Sequence, residues 1–196
     1  MRKIMIVSLF MALSGAAPSF AQTPPAGGPP LMLTVPAYPD GGQFPVQYSQ
    51  AAPGVTNGGG TSPAMAWTNV PKGTQSFVLH MHDLNAALNK TTVDQLHWLV
   101  WPIPAAATGL PEGVPAGAKL ADGSFQVSAS GTFYRGPGAP ANGPFHHYLI
   151  ELYALDNVPD VQPAADPFET RTKVMAAIQG HIIGKAVYSA LFHRPN

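Results

Sequence analysis

Breakers recur through the whole chain, with 22 prolines and 20 glycines among 196 residues. Proline removes a backbone donor and disrupts helix interiors, and glycine favours turns, so the uninterrupted segments between them are short. Long helices cannot dominate such a chain, and an all-helical bundle is excluded. The absence of cysteine excludes a disulfide scaffold and a thiol catalyst. Lys and Arg number 10 against 10 Asp and Glu, and charged residues make up only 10% of the chain, against roughly 25% in an average soluble domain. The basic surface that would hold a phosphate backbone is missing, so no nucleic-acid partner is expected.

Residues 1–21 have the layout of an export signal. Arg2 and Lys3 form a basic start, Ile4 to Leu13 is almost wholly apolar, and Ser19-Phe20-Ala21 places small residues where a signal peptidase inspects them. Cleavage before Gln22 is expected, which sends the mature protein to the periplasm or the cell exterior. The apolar run is well short of the roughly 20 residues needed to cross a bilayer, so no membrane span is expected. Residues 22–30 (QTPPAGGPP) lack an apolar period and read as a flexible Pro/Gly leader. Residues 31–196 then form a single domain.

From Leu31 to Pro71, short apolar stretches alternate with the turn clusters Pro39-Asp40-Gly41-Gly42 and Asn57-Gly58-Gly59-Gly60, which predicts short strands and hairpin-like loops. Three later segments carry the two-residue period of strands. In Ser76 to Asp83 it puts Phe77, Leu79, Met81 and Asp83 on one face, and Val78, His80 and His82 on the other. In Gln95 to Ile103 it groups His97, Leu99, Trp101 and Ile103, with Pro102 at an edge or strand end. In Phe145 to Leu155 it aligns His146, Tyr148, Ile150, Leu152 and Ala154 against His147, Leu149, Glu151 and Tyr153.

Each of these rows is apolar and carries a polar residue at one end: Asp83, His97, and the pair His146 and Tyr148. If the ends lie side by side, they form a polar pocket on a dry floor. Taken singly, each histidine is better explained by a hydrogen bond to a loop carbonyl. The tail differs in character. Asp166 and Pro167 predict a helix start, with Glu169 placed as in a capping box, a helix to about Gln179, and Gly180 closing it. Residues 181–192 could extend that helix after a break, although their Ile, Val and Tyr content favours a strand or extended return.

The blocks Ser62-Pro63-Ala64-Met65-Ala66-Trp67, Val70 to Phe77, Asp83, His97-Trp98, Tyr134-Arg135-Gly136-Pro137 with Pro140, His146-His147-Tyr148 and Ala154-Leu155-Asp156 follow one another in an order that resembles the phosphatidylethanolamine-binding protein family, in particular its bacterial, Raf kinase inhibitor-like branch. The resemblance runs from about Leu33 to Arg194. It implies a mainly β domain: a large antiparallel sheet packed on a smaller one, a C-terminal helix, and a small anion-accepting pocket at one end of the main sheet. The pocket residues it implies are Asp83, His97, Gly136, Pro137, His146 and Tyr148.

The chain departs from the family pattern in several places. The Asp-Pro-Asp-x-Pro block reads Asp83-Leu84-Asn85-Ala86-Ala87, so a carboxylate becomes an amide and both prolines are lost; a less rigid, less acidic loop is expected. The His-Arg-Tyr block reads His146-His147-Tyr148, which removes a permanent charge and a rigid donor fork. Pro102 stands where the family has Asn, and Ala139-Pro140 where it has Pro-Pro. These changes bear on the ligand more than on the fold.

Three functions fit the residues. In the first, the protein binds a small anionic or phosphorylated ligand without catalysis or cofactor, His97, His146, Tyr148 and backbone N–H groups near Gly136 donating, and Asp83 opposing unless it holds a histidine or accepts from an amine. The second is a hydrolase with Asp83, His97 and His146 as acid–base groups, disfavoured because no G-x-S-x-G elbow supplies a nucleophile. The third is zinc binding through His80 and His82, with His147 or His181 as a third ligand; two packed or solvated histidines explain that pair more simply. Trp67, Trp98 and Trp101 read as core. A homodimer is left open, and inhibition of a cytosolic kinase does not transfer to an exported protein.

Overall fold

The computed structural model describes residues 28–196. The expected export signal and most of the expected leader lie outside these residues, and Gly28, Pro29 and Pro30 are exposed. In chain order the strands are β1 (Met32–Thr34), β2 (Gly42–Gln43), β3 (Met65–Thr68), β4 (Ser76–Asp83), β5 (Gln95–Pro104), β6 (Gly109–Leu110), β7 (Phe125–Val127), β8 (His146–Leu155) and β9 (Ile182–Phe192), with one α-helix, α1 (Pro167–Ala177), between β8 and β9. The fold is mainly β, as the strand periods and the family resemblance imply. Residues 182–192 are a strand, and among the described residues no helix is long and apolar enough to cross a membrane.

The strands form a six-stranded sheet in the order β2-β9-β8-β4-β5-β7 and a three-stranded sheet in the order β1-β3-β6. Pairing in the large sheet is antiparallel except at its edge, where β2 lies parallel to β9. The turn at Pro39–Gly42 therefore does not close a hairpin: Gly41 N–H donates to Ser189 of β9 at 3.0 Å and carries the chain onto a distant strand. One core lies between the sheets. It joins Phe77, Leu79, Met81, Trp98, Ile150 and Leu152 to Leu33, Met65 and Trp67 of the small sheet. A second core lies under α1, where Val78, Leu99, Trp101 and Leu155 meet Val174 and Ile178.

With helix on one face and small sheet on the other, every residue of β4 is buried. The period read for β4 and β8 holds, but that for β5 does not. Leu79 pairs with Val100 and Phe77 with Ile103, so Trp101 and Pro102 together oppose Val78. Met81 pairs with Trp98 and His82 with Leu96, so His97 is an extra residue. Each irregularity is a β-bulge, which shifts the alternation by one. Trp98, Val100 and Ile103 consequently face the small sheet, whereas Leu99 and Trp101 face the helix. Pro102 sits in a bulge, where its missing N–H costs no ladder bond.

The helix starts as expected: the Asp166 side chain accepts from Phe168 N–H at 2.8 Å. The capping box does not close, because Glu169 pairs instead with Lys173 one turn on, at 2.7 Å. Gly180, with φ of 81°, ends the segment in the left-handed region that favours glycine. The three tryptophans are core residues, and each satisfies its indole N–H, on Ala107 O, Gln126 Oε1 and Val161 O respectively, all at 2.8 Å.

Because Leu79 is wholly buried between the sheets, Leu79→Ala is expected to lower unfolding free energy by about 2–5 kcal/mol. Val187→Ala on the exposed face should change it by less than about 0.5 kcal/mol. Urea denaturation followed by tryptophan fluorescence measures both.

Candidate functional site

Because β4 runs antiparallel to β5 and β8, its last residue meets their first ones at one end of the large sheet. Asp83 stands opposite Gln95 on one side and Tyr148 on the other. Asp83, His97, His146 and Tyr148 line a single open cavity of about 180 Å³ there. Three of the four are almost fully buried, and His146 is half-buried. Gly136 and Pro137 are not brought into the lining. A larger cleft of about 520 Å³ lies beside β9, but among the described residues its titratable side chains are only Lys72 and Lys185.

Hydrogen bonds fix what each group can offer. Asp83 accepts from His146 Nδ1 at 2.7 Å and from Asn85 N–H at 2.9 Å. The His146 proton is thus held on Nδ1, leaving Nε2 for the cavity. His97 donates from Nδ1 to Arg135 O at 2.9 Å, and Arg135 N–H donates back to His97 O at 3.0 Å. The bulge gives His97 its inward direction, and this reciprocal pair locks it. Burial lowers His97 from histidine's ordinary 6.5 to about 4, so at neutral pH it is an uncharged ring whose Nε2 accepts and does not donate.

Tyr148 accepts from the N–H groups of Gly138 and Ala139, both at 3.3 Å. Burial, reinforced by the Asp83 carboxylate beside it, holds its hydroxyl protonated far above the usual range, so it keeps an O–H to donate, to Asp83 or to a ligand. The His97 ring stands edge-on to Tyr148 with centroids 5.0 Å apart, which fixes both rings.

The turn at Gly136-Pro137 acts from behind this cavity. The Gly136 N–H does not point inward, since it donates to Gly59 O at 3.0 Å. The Gly136 carbonyl accepts from Gln50 Nε2 at 2.6 Å, and Gln50 N–H donates to Pro137 O at 2.9 Å. Glycine is needed at 136 because a Cβ would lie 2.7 Å from Tyr48 O and 2.9 Å from Ser49. The turn is packed against residues 48–50, and that contact presents Gly138 and Ala139 to Tyr148.

Arg135 was missing from the residues expected at the site, although it lies in the Tyr134–Pro137 block. It borders the cavity, donates from Nη1 to Ser130 Oγ, and carries an Nε that is buried without a partner among the described residues. Burial pulls its pKa down, yet a guanidinium remains cationic at neutral pH. A permanent charge is therefore present despite His147 in the following block. Gln50 was also missed, and its separation of 86 residues from Gly136 left no signal for it. The altered loop is tied down: Asn85 Oδ1 accepts from His147 N–H at 2.8 Å and lies 3.0 Å from its Nδ1, so the amide anchors a loop that the loss of both prolines had suggested would be looser.

Two packed sheets, a flanking helix and a small polar cavity at the strand ends define a ligand-binding β fold. The model of the phosphatidylethanolamine-binding protein family matches residues 34–193, and the chain belongs to that family. It is 36% identical over 166 residues to a UPF0098 protein of Methanothermobacter thermautotrophicus, covering 84% of this chain and 99% of that one. It is 37% identical over 103 residues to the UPF0098 protein YbhB of Escherichia coli, covering 51% of this chain and 63% of the relative. In fold it is similar to the crystal structures of a phosphatidylethanolamine-binding protein homolog from Chlamydia trachomatis (TM-score 0.67, 24% identity, 84% of this chain and 98% of that one) and of Escherichia coli YbcL (TM-score 0.66, 24% identity, 83% and 98%).

His97 also links the site to stability. The unfolded chain binds the proton near the ordinary value of 6.5, and the folded one only near 4. The stabilisation is complete above the ordinary value and is lost as pH falls from about 6.5 to 4. The stability difference between wild type and His97→Gln is expected to shrink across that window in urea titrations at stepped pH. Gly136→Ala should cost about 1–3 kcal/mol through overpacking against Tyr48 and Ser49, read by the same assay.

Proposed function

We propose that the protein is an exported, non-catalytic binding protein that takes a small anion or phosphorylated headgroup into the cavity at the end of the large sheet. The observation that carries this proposal is the meeting of Arg135, Tyr148, His97, His146 and Asp83 around one space of about 180 Å³. Arg135 supplies a fixed positive charge and Tyr148 a donor. The uncharged His97 ring offers a lone pair at Nε2, so it favours a ligand that still carries a proton, such as hydrogenphosphate, over a fully ionised one. Asp83, although held by His146 and Asn85 N–H, still brings a carboxylate to the cavity and so favours a ligand with an ammonium beside its phosphate over a lone anion. Phosphoethanolamine meets all of these demands.

Binding is favoured over turnover because the lining, among the described residues, holds no serine, threonine or cysteine to serve as nucleophile. The pair Asp83–His146 has the form of an oriented base and keeps hydrolysis as the rival function. Isothermal titration at pH 6 with phosphoethanolamine and with inorganic phosphate tests the proposal. Saturable binding of one ligand per chain is expected, phosphoethanolamine the tighter, with Arg135→Gln and His146→Ala each weakening it about tenfold, a loss of about 1.4 kcal/mol. Absence of binding by the wild type overturns the proposal. Release of phosphate from phosphoethanolamine, lost in His146→Ala, replaces it with the hydrolase.

A further inference from the structure

The opposite face of the large sheet carries a second polar cluster that the cavity does not use. His80 is the ladder partner of Glu151, and His82 lies two residues further along the same face of β4. The two rings stack with centroids 4.3 Å apart and planes 17° from parallel. His80 Nδ1 and His82 Nε2 each lie 3.4 Å from the same oxygen, Glu151 Oε2. One donor atom from each of the three residues falls within 4.8 Å of the others. Neither His147 nor His181 joins them, since His147 contacts Asn85 and His181 pairs with Asp156 at 2.8 Å.

We propose that His80, His82 and Glu151 form a binding site for one divalent transition-metal ion of the zinc class, with a fourth position open to water. The spacing supports this. A tetrahedral ion with bonds of about 2.0–2.1 Å separates its ligand atoms by about 3.3–3.4 Å, and two of the three edges here are already 3.4 Å. The third closes by rotation of side chains. Two imidazoles and one carboxylate are the donor types that such an ion prefers over calcium or magnesium.

The surroundings orient each donor. His82 Nδ1 donates to Asp94 Oδ2 at 2.5 Å, and Asp94 is held in turn by Arg171 of α1 at 2.5 Å. That places the free lone pair on Nε2, in the carboxylate–histidine–metal arrangement that fixes ring and tautomer. The outer oxygen of Glu151 is taken by Lys185 Nζ at 2.5 Å, which leaves Oε2 facing the imidazoles. The Nε2 atoms of both histidines are buried and lack hydrogen-bond partners among the described residues. Buried polar atoms rarely stay unpaired, and an ion at the centre gives His82 Nε2 its partner. The competing occupant is a proton. Burial disfavours it on His82, but the neighbouring carboxylates of Asp94 and Glu151 outweigh burial and raise that ring to about 9, so an ion enters by displacing a proton.

The test is calorimetric titration of the chelator-treated protein with zinc chloride, in buffer free of phosphate, with Co²⁺ absorption as a second readout. One equivalent per chain is expected, with the visible bands of a tetrahedral cobalt site. His82→Ala and Glu151→Gln should each weaken zinc binding at least tenfold, while phosphoethanolamine binding, on the other side of the sheet, and the circular dichroism spectrum stay as in wild type. Asp94→Asn, which keeps all three ligands, should weaken it about tenfold or more. The proposal is overturned by absence of stoichiometric binding in the wild type. It is equally overturned by binding that survives His82→Ala and disappears with His147→Ala or His181→Ala, the imidazoles outside the cluster. Should His82→Ala fail to fold, unchanged zinc affinity in Asp94→Asn overturns it alone.

Discussion

Between the pairs Met81–Trp98 and His82–Leu96 the ladder of β4 and β5 contains one residue too many, and His97 turns toward the cavity because of it. In a regular strand His97 and Trp98 would point to opposite faces. The bulge lets Trp98 face the inter-sheet core while His97 reaches Tyr148 and Arg135. The residue that shapes the cavity and the residue that fills the core behind it are thus neighbours in sequence, and the position of one sets that of the other. The reciprocal bonds between His97 and Arg135 extend this arrangement to the turn at Gly136-Pro137, and through Gln50 to the segment after β2.

β4 is buried along its whole length, and it is not wholly apolar. Its two histidines and its terminal Asp83 are polar groups in a dry layer, where an unpaired charge is expensive. The structure meets this demand differently on the two faces. Toward the small sheet, Asp83 is paired with His146 and capped by Asn85 N–H. Toward the helix, His80 and His82 are matched to Glu151 and Asp94, whose own charges are answered by Lys185 and Arg171. The sheet lies between the two clusters, so a ligand at one does not touch the other. The proposed anion cavity and the proposed metal site are therefore independent uses of one strand.

Much of this was legible in the residues. The faces of β4 and β8 follow from the two-residue period because both strands pair without a break along their shared ladder. The helix start follows from Asp166 and Pro167, whose preferences act within one turn of chain. The row ends Asp83, His97, His146 and Tyr148 do converge, since antiparallel neighbours bring the end of one strand to the start of the next. The face of Leu99 and Trp101 was misread because a bulge depends on the partner strand and leaves no mark in a single segment. Glu169 was misassigned to a capping box because Lys173, one turn away, offers an opposite charge.

The sequence by itself determined the breakers, the strand periods, the helix cap, the family and the polar residues at the ends of apolar rows, because each of these rests on contacts within a few residues or on residue type alone. Tertiary structure decided which nitrogen of His97 is spent, that Arg135 rather than the Gly136 N–H borders the cavity, and that Glu151 and not His147 or His181 joins His80 and His82. Those outcomes depend on registers between strands and on hydrogen bonds spanning tens of residues, such as the 86 that separate Gln50 from Gly136. No local preference carries such information; only the packing of the folded chain selects one partner among the many that chemistry allows.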